Sequence, residues 1–250
     1  MAAKLTIVFP CYNSGSFIRE SFAVIDAYLN NSDDIQVMFI EDCGTDNTYQ
    51  LLNALVATAL NKERYTVLKN EHNLGKGGTI KHAIAACSTE LIVFTDPDLA
   101  YDLSNIDFFY NNIAPKELLI ANRVHPDSRY LIPPSFFRYI FTRHLSSRIY
   151  NKLAQILLIP GIEDNQAGLK MFFVNDIKPL LFKSKQNDFS FDLELLVMAR
   201  TNGLAIKGMP VNFKYDHETT TVAFIFDSFN LFSSLIKIFF RSITDYYKIN

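Results

Sequence analysis

Several features are scarce in this chain of 250 residues. Charge of one sign comes first: 24 basic side chains against 26 acidic ones leave a net charge of −2, which excludes the broad positive field of a nucleic-acid binder. Cysteine is sparse too. Cys11, Cys43 and Cys87 share no metal or redox spacing, so all three read as reduced, buried residues of a cytosolic protein. The five histidines are scattered and form no zinc motif. No apolar run qualifies as a membrane span, and Met1 leads directly into a strand without a signal-like segment. Repeats and low-complexity linkers are absent. Neither G-x-x-x-x-G-K-[ST] nor G-x-G-x-x-G occurs, which removes the Walker A loop and the usual dinucleotide loop.

What is present is apolar and alternating. A hydrophobic fraction of 49% supports a sizeable core and excludes wholesale disorder. Short β-branched runs at Leu5–Phe9, Ile35–Ile40, Tyr65–Leu68 and Leu91–Phe94 read as strands. Helical spacing follows them over Ser16–Leu29, Tyr49–Ala59 and Thr79–Ala86. Strand and helix in alternation predict an α/β domain with a mainly parallel sheet covered on both faces. Such sheets bind ligands beyond the carboxyl ends of their strands. Polar clusters fall at those ends: Tyr12 and Asn13, Glu41 to Asp46, Asn73 to Gly78, and Asp96 to Asp98. Taken singly, each is ordinary turn and cap chemistry; together they mark one rim.

The sharpest cluster is Leu91–Leu99, L-I-V-F-T-D-P-D-L. On an extended segment, Asp96 and Asp98 would point to the same side. Two hard carboxylates at a sheet's mouth suit Mg²⁺ or Mn²⁺ held against a diphosphate. That pattern predicts an enzyme acting on a nucleotide sugar or nucleotide phosphate.

Four segments, P-C-Y-N (10–13), I-E-D-C-G-T-D-N-T (40–48), N-L-G-K-G (73–77) and T-D-P-D-L (95–99), resemble the nucleotide-binding half of inverting, family 2 glycosyltransferases of the GT-A fold. The resemblance implies that Asp42 contacts uracil, that Pro10 and Tyr12 line the base pocket, and that Glu41 lies near the nucleoside. It also implies Lys76 near the donor, Asp96 on the sugar or ribose, and Asp98 on the metal. Ser14 stands where that family usually has glutamate, and Cys43 where it has glycine.

The second half points to the acceptor. Ile120–Val124 reads as a strand carrying Arg123, and Arg138 and Arg143 lie among aromatics on a helix whose His144, Arg148 and Lys152 share one face. These arginines are candidates for holding an acceptor phosphate or the diphosphate. G-I-E-D-N-Q-A-G-L-K-M-F (161–172), F-S-F-D-L-E-L-L (189–196), M-P-V-N-F (209–213) and H-E-T-T-T-V (217–222) resemble, in order, segments of polyprenyl-phosphate glycosyltransferases, dolichyl-phosphate glucosyltransferases in particular. That resemblance implies transfer of glucose from UDP-glucose to a polyprenyl phosphate, with Gln166, Asp192 and Glu194 positioning the sugar. Asp164 is then either a sugar-positioning group or, for a hydroxyl acceptor, the general base. GDP-mannose as donor, a soluble glycan-extending transferase, a silent nucleotide-binding module and a nucleotidyltransferase are the alternatives.

The segment 222–250 is expected to be separate from the catalytic domain, 1–221. From Phe224 to Tyr247, Asp227, Asn230, Ser234, Lys237, Arg241 and Asp245 form a polar stripe opposite Ile225, Phe229, Phe232, Ile236, Phe239, Phe240 and Ile243. Such a helix suits the plane of a membrane surface, which would place the protein peripherally on the cytoplasmic face.

Overall fold

The computed structural model describes residues 3–30, 32–131, 149–214 and 224–249. Arg138, Arg143, His144, Arg148 and the segment 217–222 lie outside the described residues, as do the side chains of 224–229.

Four strands, β1 (Leu5–Cys11), β2 (Ile35–Glu41), β3 (Tyr65–Lys69) and β4 (Leu91–Phe94), pair in parallel in the order β3-β2-β1-β4. β1 and β4 are almost wholly apolar, as strands covered on both faces must be. Their side chains alternate between two cores. Leu5, Ile7, Phe9, Val37, Phe39 and Val93 face helices α1 (Ile18–Leu29) and α2 (Thr48–Thr58). Val8, Met38, Ile40, Ile92 and Phe94 face α3 (Gly75–Ala86) and α7 (Phe191–Thr201).

The sheet continues through β7 (Lys170–Phe173), antiparallel to both its neighbours, then β5 (Glu117–Ala121) and β8 (Ala205–Met209). The short helix α4 (Ser104–Tyr110) precedes β5, residues 149–157 form α5, and α6 (Val174–Ile177) follows β7. A small parallel pair, β6 (Arg129–Leu131) with β9 (Asn212–Lys214), flanks the rim. The chain closes with α8 (Phe224–Ile243).

Strand order reverses between β1 and β4, and ligands of open α/β sheets bind at such a switch point. Register brings the relevant strand ends level: Cys11 opposes Glu41, Glu41 opposes Lys69, and Val8 opposes Phe94. Tyr12, Asp42, Asn70 and Asp96 therefore leave the sheet along one rim.

Three local expectations change. Arg123 lies in the turn after β5, not within a strand, because β5 ends at Ala121. α3 begins at Gly75 rather than Thr79, so the glycine-rich run is the helix's first turn. Its glycines admit α7: a Cβ on Gly77 would sit 2.3 Å from Phe191 Cβ. The third concerns α8, whose apolar surface is wider than one face. Leu235 and Ile238 pack into the core beside α7, and they carry Ser234 inwards with them. Ile236, Phe240 and Ile243 remain exposed next to Lys237. The helix is thus a core element on one side and an apolar surface on the other, and no described helix is long and apolar enough to cross a membrane.

Candidate active site

One side of the rim is built from two interlaced loops. Thr45 N–H donates to Asn13 Oδ1 (2.8 Å), Gly15 N–H to Asp46 Oδ2 (2.7 Å), and Ser14 N–H to Thr48 Oγ1 (2.8 Å). Asn13 and Cys43 both have positive φ, 49° and 53°. Left-handed backbone at Cys43 explains why glycine suits that position. Tyr12 projects from the end of β1 and is 53% exposed, an aromatic face open to a base. Pro10 is the last but one residue of β1, in register with Ile40. Beside it Asp42, 4% exposed, donates its backbone N–H to Cys11 O at 2.8 Å.

Glu41, expected near the nucleoside, is 2% exposed. Its carboxylate turns into the loop, accepts the Gly44 N–H and lies 3.7 Å from Lys69 Nζ. It supports the loop from beneath. Two cysteines, Cys11 and Cys87, are buried as expected, whereas Cys43 is only partly covered; all three are free thiols. Burial pushes the Cys11 thiol up, out of the reactive range.

The turn after β4 departs from an extended segment. Leu99 N–H donates to Asp96 O (3.3 Å), closing a turn with Pro97 at its second position. Asp98 Oδ1 accepts the Ala100 N–H (3.0 Å), and Asp96 Oδ1 accepts from Lys76 Nζ (2.7 Å). The carboxylates therefore occupy the first and third positions of one turn. Burial would raise the Asp96 carboxyl, but the Lys76 ammonium outweighs it, aided by Lys170 and Arg123, and holds it below the usual carboxylate value. Lys76 is affected in the complementary way. Burial opposes its charge, but Asp96, Asp192 and Asp98 together raise it above the ordinary lysine value. Phe189 lies under its ammonium, 5.9 Å away.

Segment 164–170 presses on the same spot. A Cβ on Gly168 would lie 2.0 Å from Asp96 Oδ2, so no other residue fits there without displacing the carboxylate. Asp164, 3% exposed, is gripped by Arg123: Nε to Oδ2 at 2.7 Å, Nη2 to Oδ1 at 2.9 Å, and the Arg123 backbone N–H to Oδ2 at 3.0 Å. Burial acts upward on this carboxyl, and the guanidinium and its hydrogen bonds overcome it, leaving it below the usual value. Asp164 thus has both oxygens committed to a permanent cation. Arg123 likewise spends Nε and Nη2 on Asp164 rather than on an incoming phosphate, and its guanidinium stacks over Phe213.

Two side chains of α7 divide. Asp192 stays at the site, paired at 2.5 Å with Lys170, a lysine 0% exposed that also donates to Ala167 O (2.6 Å). Burial pulls the Lys170 ammonium down despite that partner. Glu194 turns its carboxylate into the protein. It is 0% exposed and accepts from Ser184 Oγ, the Lys185 and Gln186 N–H groups, and Tyr247 Oη, with Arg241 3.5 Å away. It anchors the 184–186 loop and the C-terminal segment. Gln166 is half-buried between Asn165 and Ala167.

Sequence reasoning passed over Lys170 and Asn70. Only Lys170 leaves a trace, as a lone charge within the apolar run L-K-M-F-F. Four further polar side chains on this segment and its neighbours, Thr95, Tyr150, Asn165 and Ser190, are buried with hydroxyl or amide atoms that no described residue satisfies.

The acidic donor set is small. Among the described residues no group of three or more His, Cys, Asp or Glu gathers to cage a metal. Two carboxylates on one turn instead fit a hard cation that completes its shell with substrate phosphates, the habit of Mg²⁺.

A family model described as Glycosyl transferase family 2 matches residues 6–180. Among curated relatives, glycosyltransferase AglD of Haloferax volcanii is 26% identical over 219 residues, 86% of this chain and 34% of the relative; the chain thus spans about a third of that protein. The dolichyl-phosphate beta-glucosyltransferase of Saccharomyces cerevisiae is 22% identical over 263 residues, 98% of this chain and 77% of the relative. Glucosyl-3-phosphoglycerate synthase from Mycobacterium tuberculosis, solved with Mg²⁺ and UDP, superposes with a TM-score of 0.65 at 16% identity, covering 95% of this chain and 79% of that one. The sheet is thus the GT-A fold. With the family match running through every rim segment from β1 to beyond β7, the chain belongs to glycosyl transferase family 2.

Proposed function

We propose that this glycosyltransferase moves glucose from UDP-glucose to a polyprenyl phosphate at a membrane surface, with inversion at the anomeric carbon. The observation that carries the acceptor class is the Arg123–Asp164 pair. A sugar hydroxyl needs a base to take its proton. The carboxylate considered for that role, Asp164, is buried, ion-paired and held below the usual carboxylate value. A phosphate monoester needs none, being largely dianionic near neutral pH with a second pKa of about 6.

In this reading Tyr12 stacks on the uracil and Asp42 hydrogen-bonds its edge. Asp98, with Asp96, would hold Mg²⁺ or Mn²⁺, which supplies Lewis-acid charge against the departing diphosphate. Lys76, 2.7 Å from Asp96, adds a second cation on that side. The remaining work is alignment and charge stabilisation. Gln166 and Asp192 would position the sugar. The relatives named dolichyl-phosphate beta-glucosyltransferase support the choice of glucose and of a lipid phosphate.

A surface for the lipid is at hand. α5 exposes Ile149, Leu153, Ile156 and Leu157 at helical spacing, and α8 exposes Ile236, Phe240 and Ile243. The two helices meet where the Tyr150 and Phe232 rings pack edge to face, 5.7 Å apart. Together they form one apolar patch of the kind that beds into a headgroup layer.

The test is transfer of label from a panel of nucleotide sugars into polyprenyl phosphate with Mn²⁺, read in the organic phase. UDP-glucose should label the lipid, and Asp98→Ala should abolish it. Label from a different donor would change the sugar. UDP release on glycan acceptors with an unlabelled lipid phase would refute the acceptor assignment.

A further inference from the structure

Asp42 is held by more than a turn requires. Its Oδ1 accepts from Asn70 Nδ2 and from the Leu74 N–H, each at 2.7 Å. No described residue donates to Oδ2. Asn70, 3% exposed, follows β3 and also donates Nδ2 to Thr79 Oγ1 at 3.0 Å. Both its amide hydrogens are then spent, so its Oδ1 can only accept. His82 Nδ1 lies 2.7 Å from that oxygen. The facing ring nitrogen must carry a hydrogen whether the imidazole is neutral or charged. Thr79 and His82 stand three apart on α3 and so share the face that meets Asn70. The opposite amide orientation would set the Asn70 carbonyl against the Asp42 carboxylate, so the relay has one arrangement.

We propose that Asn70 and His82 are positioning residues for base selection, on the reading above that this rim takes a uridine nucleotide. They lock Asp42 so that Oδ2 forms an acceptor-only edge beside the Tyr12 ring. Uracil presents an imino N–H to such an edge. Cytosine presents an acceptor nitrogen at the same place, and acceptor against carboxylate leaves both unpaired. A carboxylate free to rotate could turn aside and let a water mediate, admitting either base; the relay removes that freedom. The Leu74 N–H joins the same oxygen to the turn that leads into Lys76, so the base-reading residue and the cation over the diphosphate side are fixed to each other.

Isothermal titration of UDP and CDP with Mg²⁺ tests this on the full chain. The wild type should prefer UDP at least about tenfold, the worth of one well-made hydrogen bond. Asn70→Leu should erase about tenfold of that preference, chiefly by weakening UDP. His82→Ala should reduce it less, and His82→Gln, whose amide can donate to Asn70, should restore it. Should Asn70→Leu fail to fold, the partly buried His82 pair decides the matter alone. A merely structural role would weaken UDP and CDP in step, and an unchanged ratio in the variants overturns the inference. Equal affinities in the wild type overturn it as well. A wild type that binds neither nucleotide instead overturns the reading of the rim as a nucleotide site.

Discussion

Asp164→Asn separates the two acceptor classes. The wild-type carboxylate is 3% exposed and meets Arg123 through contacts of 2.7 and 2.9 Å, while the guanidinium side is 26% exposed. Breaking a fully buried pair costs about 3–5 kcal/mol. Here one partner reaches solvent and asparagine still accepts one hydrogen bond, so a loss of about 1–3 kcal/mol of stability follows. For a chain of this size that is a fall of about 2–12 °C in Tm, at about 2–4 °C per kcal/mol. The sign with pH follows from the lowered Asp164 value. The pair's contribution is present above the unfolded carboxyl pKa of about 3.9 and is lost as pH falls through the lower folded value, so the variant and wild type should converge in acid. Catalysis should suffer little. Transfer to polyprenyl phosphate should drop less than about tenfold, because removing a true base costs about 10²–10⁴. The acid limb of the rate should stay near pH 6 in both proteins, following the acceptor's own ionisation. A folded variant whose transfer falls a hundredfold or more would show that Asp164 takes a proton, and the phosphate-acceptor argument would be lost.

Three further outcomes follow from the same geometry. Lys170→Met leaves the buried Asp192 without its cation and should cost about 3–5 kcal/mol, or about 6–20 °C in Tm, with Lys170→Met/Asp192→Leu recovering most of it; a single variant as stable as wild type would contradict the pair's burial. Cys43→Gly relieves a left-handed cysteine and should raise Tm by about 1–4 °C in differential scanning fluorimetry, the gain reduced by glycine's unfolded-state entropy. Ile156→Asp with Phe240→Asp should abolish flotation with phosphatidylglycerol-containing vesicles at unchanged Tm, and undiminished flotation would remove the patch on α5 and α8 from the membrane.

The layout of the rim was legible because it rests on periodicity and turn chemistry, both local. Runs such as Leu5–Phe9 and Leu91–Phe94 alternate into two cores, and alternation alone places Tyr12, Asp42 and Asp96 at one edge. The start of α3 was misread because Gly75–Gly78 looks like a loop by propensity. Its glycines serve tertiary packing, with Phe191 of α7 filling the space that a side chain would need. On α8 the expected apolar stripe keeps Ile236, Phe240 and Ile243 exposed, while Leu235 and Ile238, which the pattern did not single out, pack into the core, accompanied by polar contacts to Glu194 from Tyr247 and Arg241. Glu194 itself, matched within a family segment, gave no sign that its carboxylate faces inward.

What local pattern cannot supply is a carboxylate's partner, and at this site the partner decides the chemistry. Asp96, Asp164 and Asp192 have the same side chain, and each is held by a cation 20, 41 or 22 residues away in sequence. Buried ion pairs are weak contributors to stability relative to apolar packing, so three around one cleft are better explained by function than by folding. Their cations differ in kind. Arg123 grips in a bidentate fork and stays charged at any accessible pH, which fits a permanent clamp on Asp164. Lys76 reaches Asp96 as a single point charge, without the fork that fixes the Arg123 pair. Lys170, with no solvent contact and two fixed acceptors, sets the field in which the other two operate. The D-x-D motif marks two carboxylates; their pairing is what distinguishes one from the other.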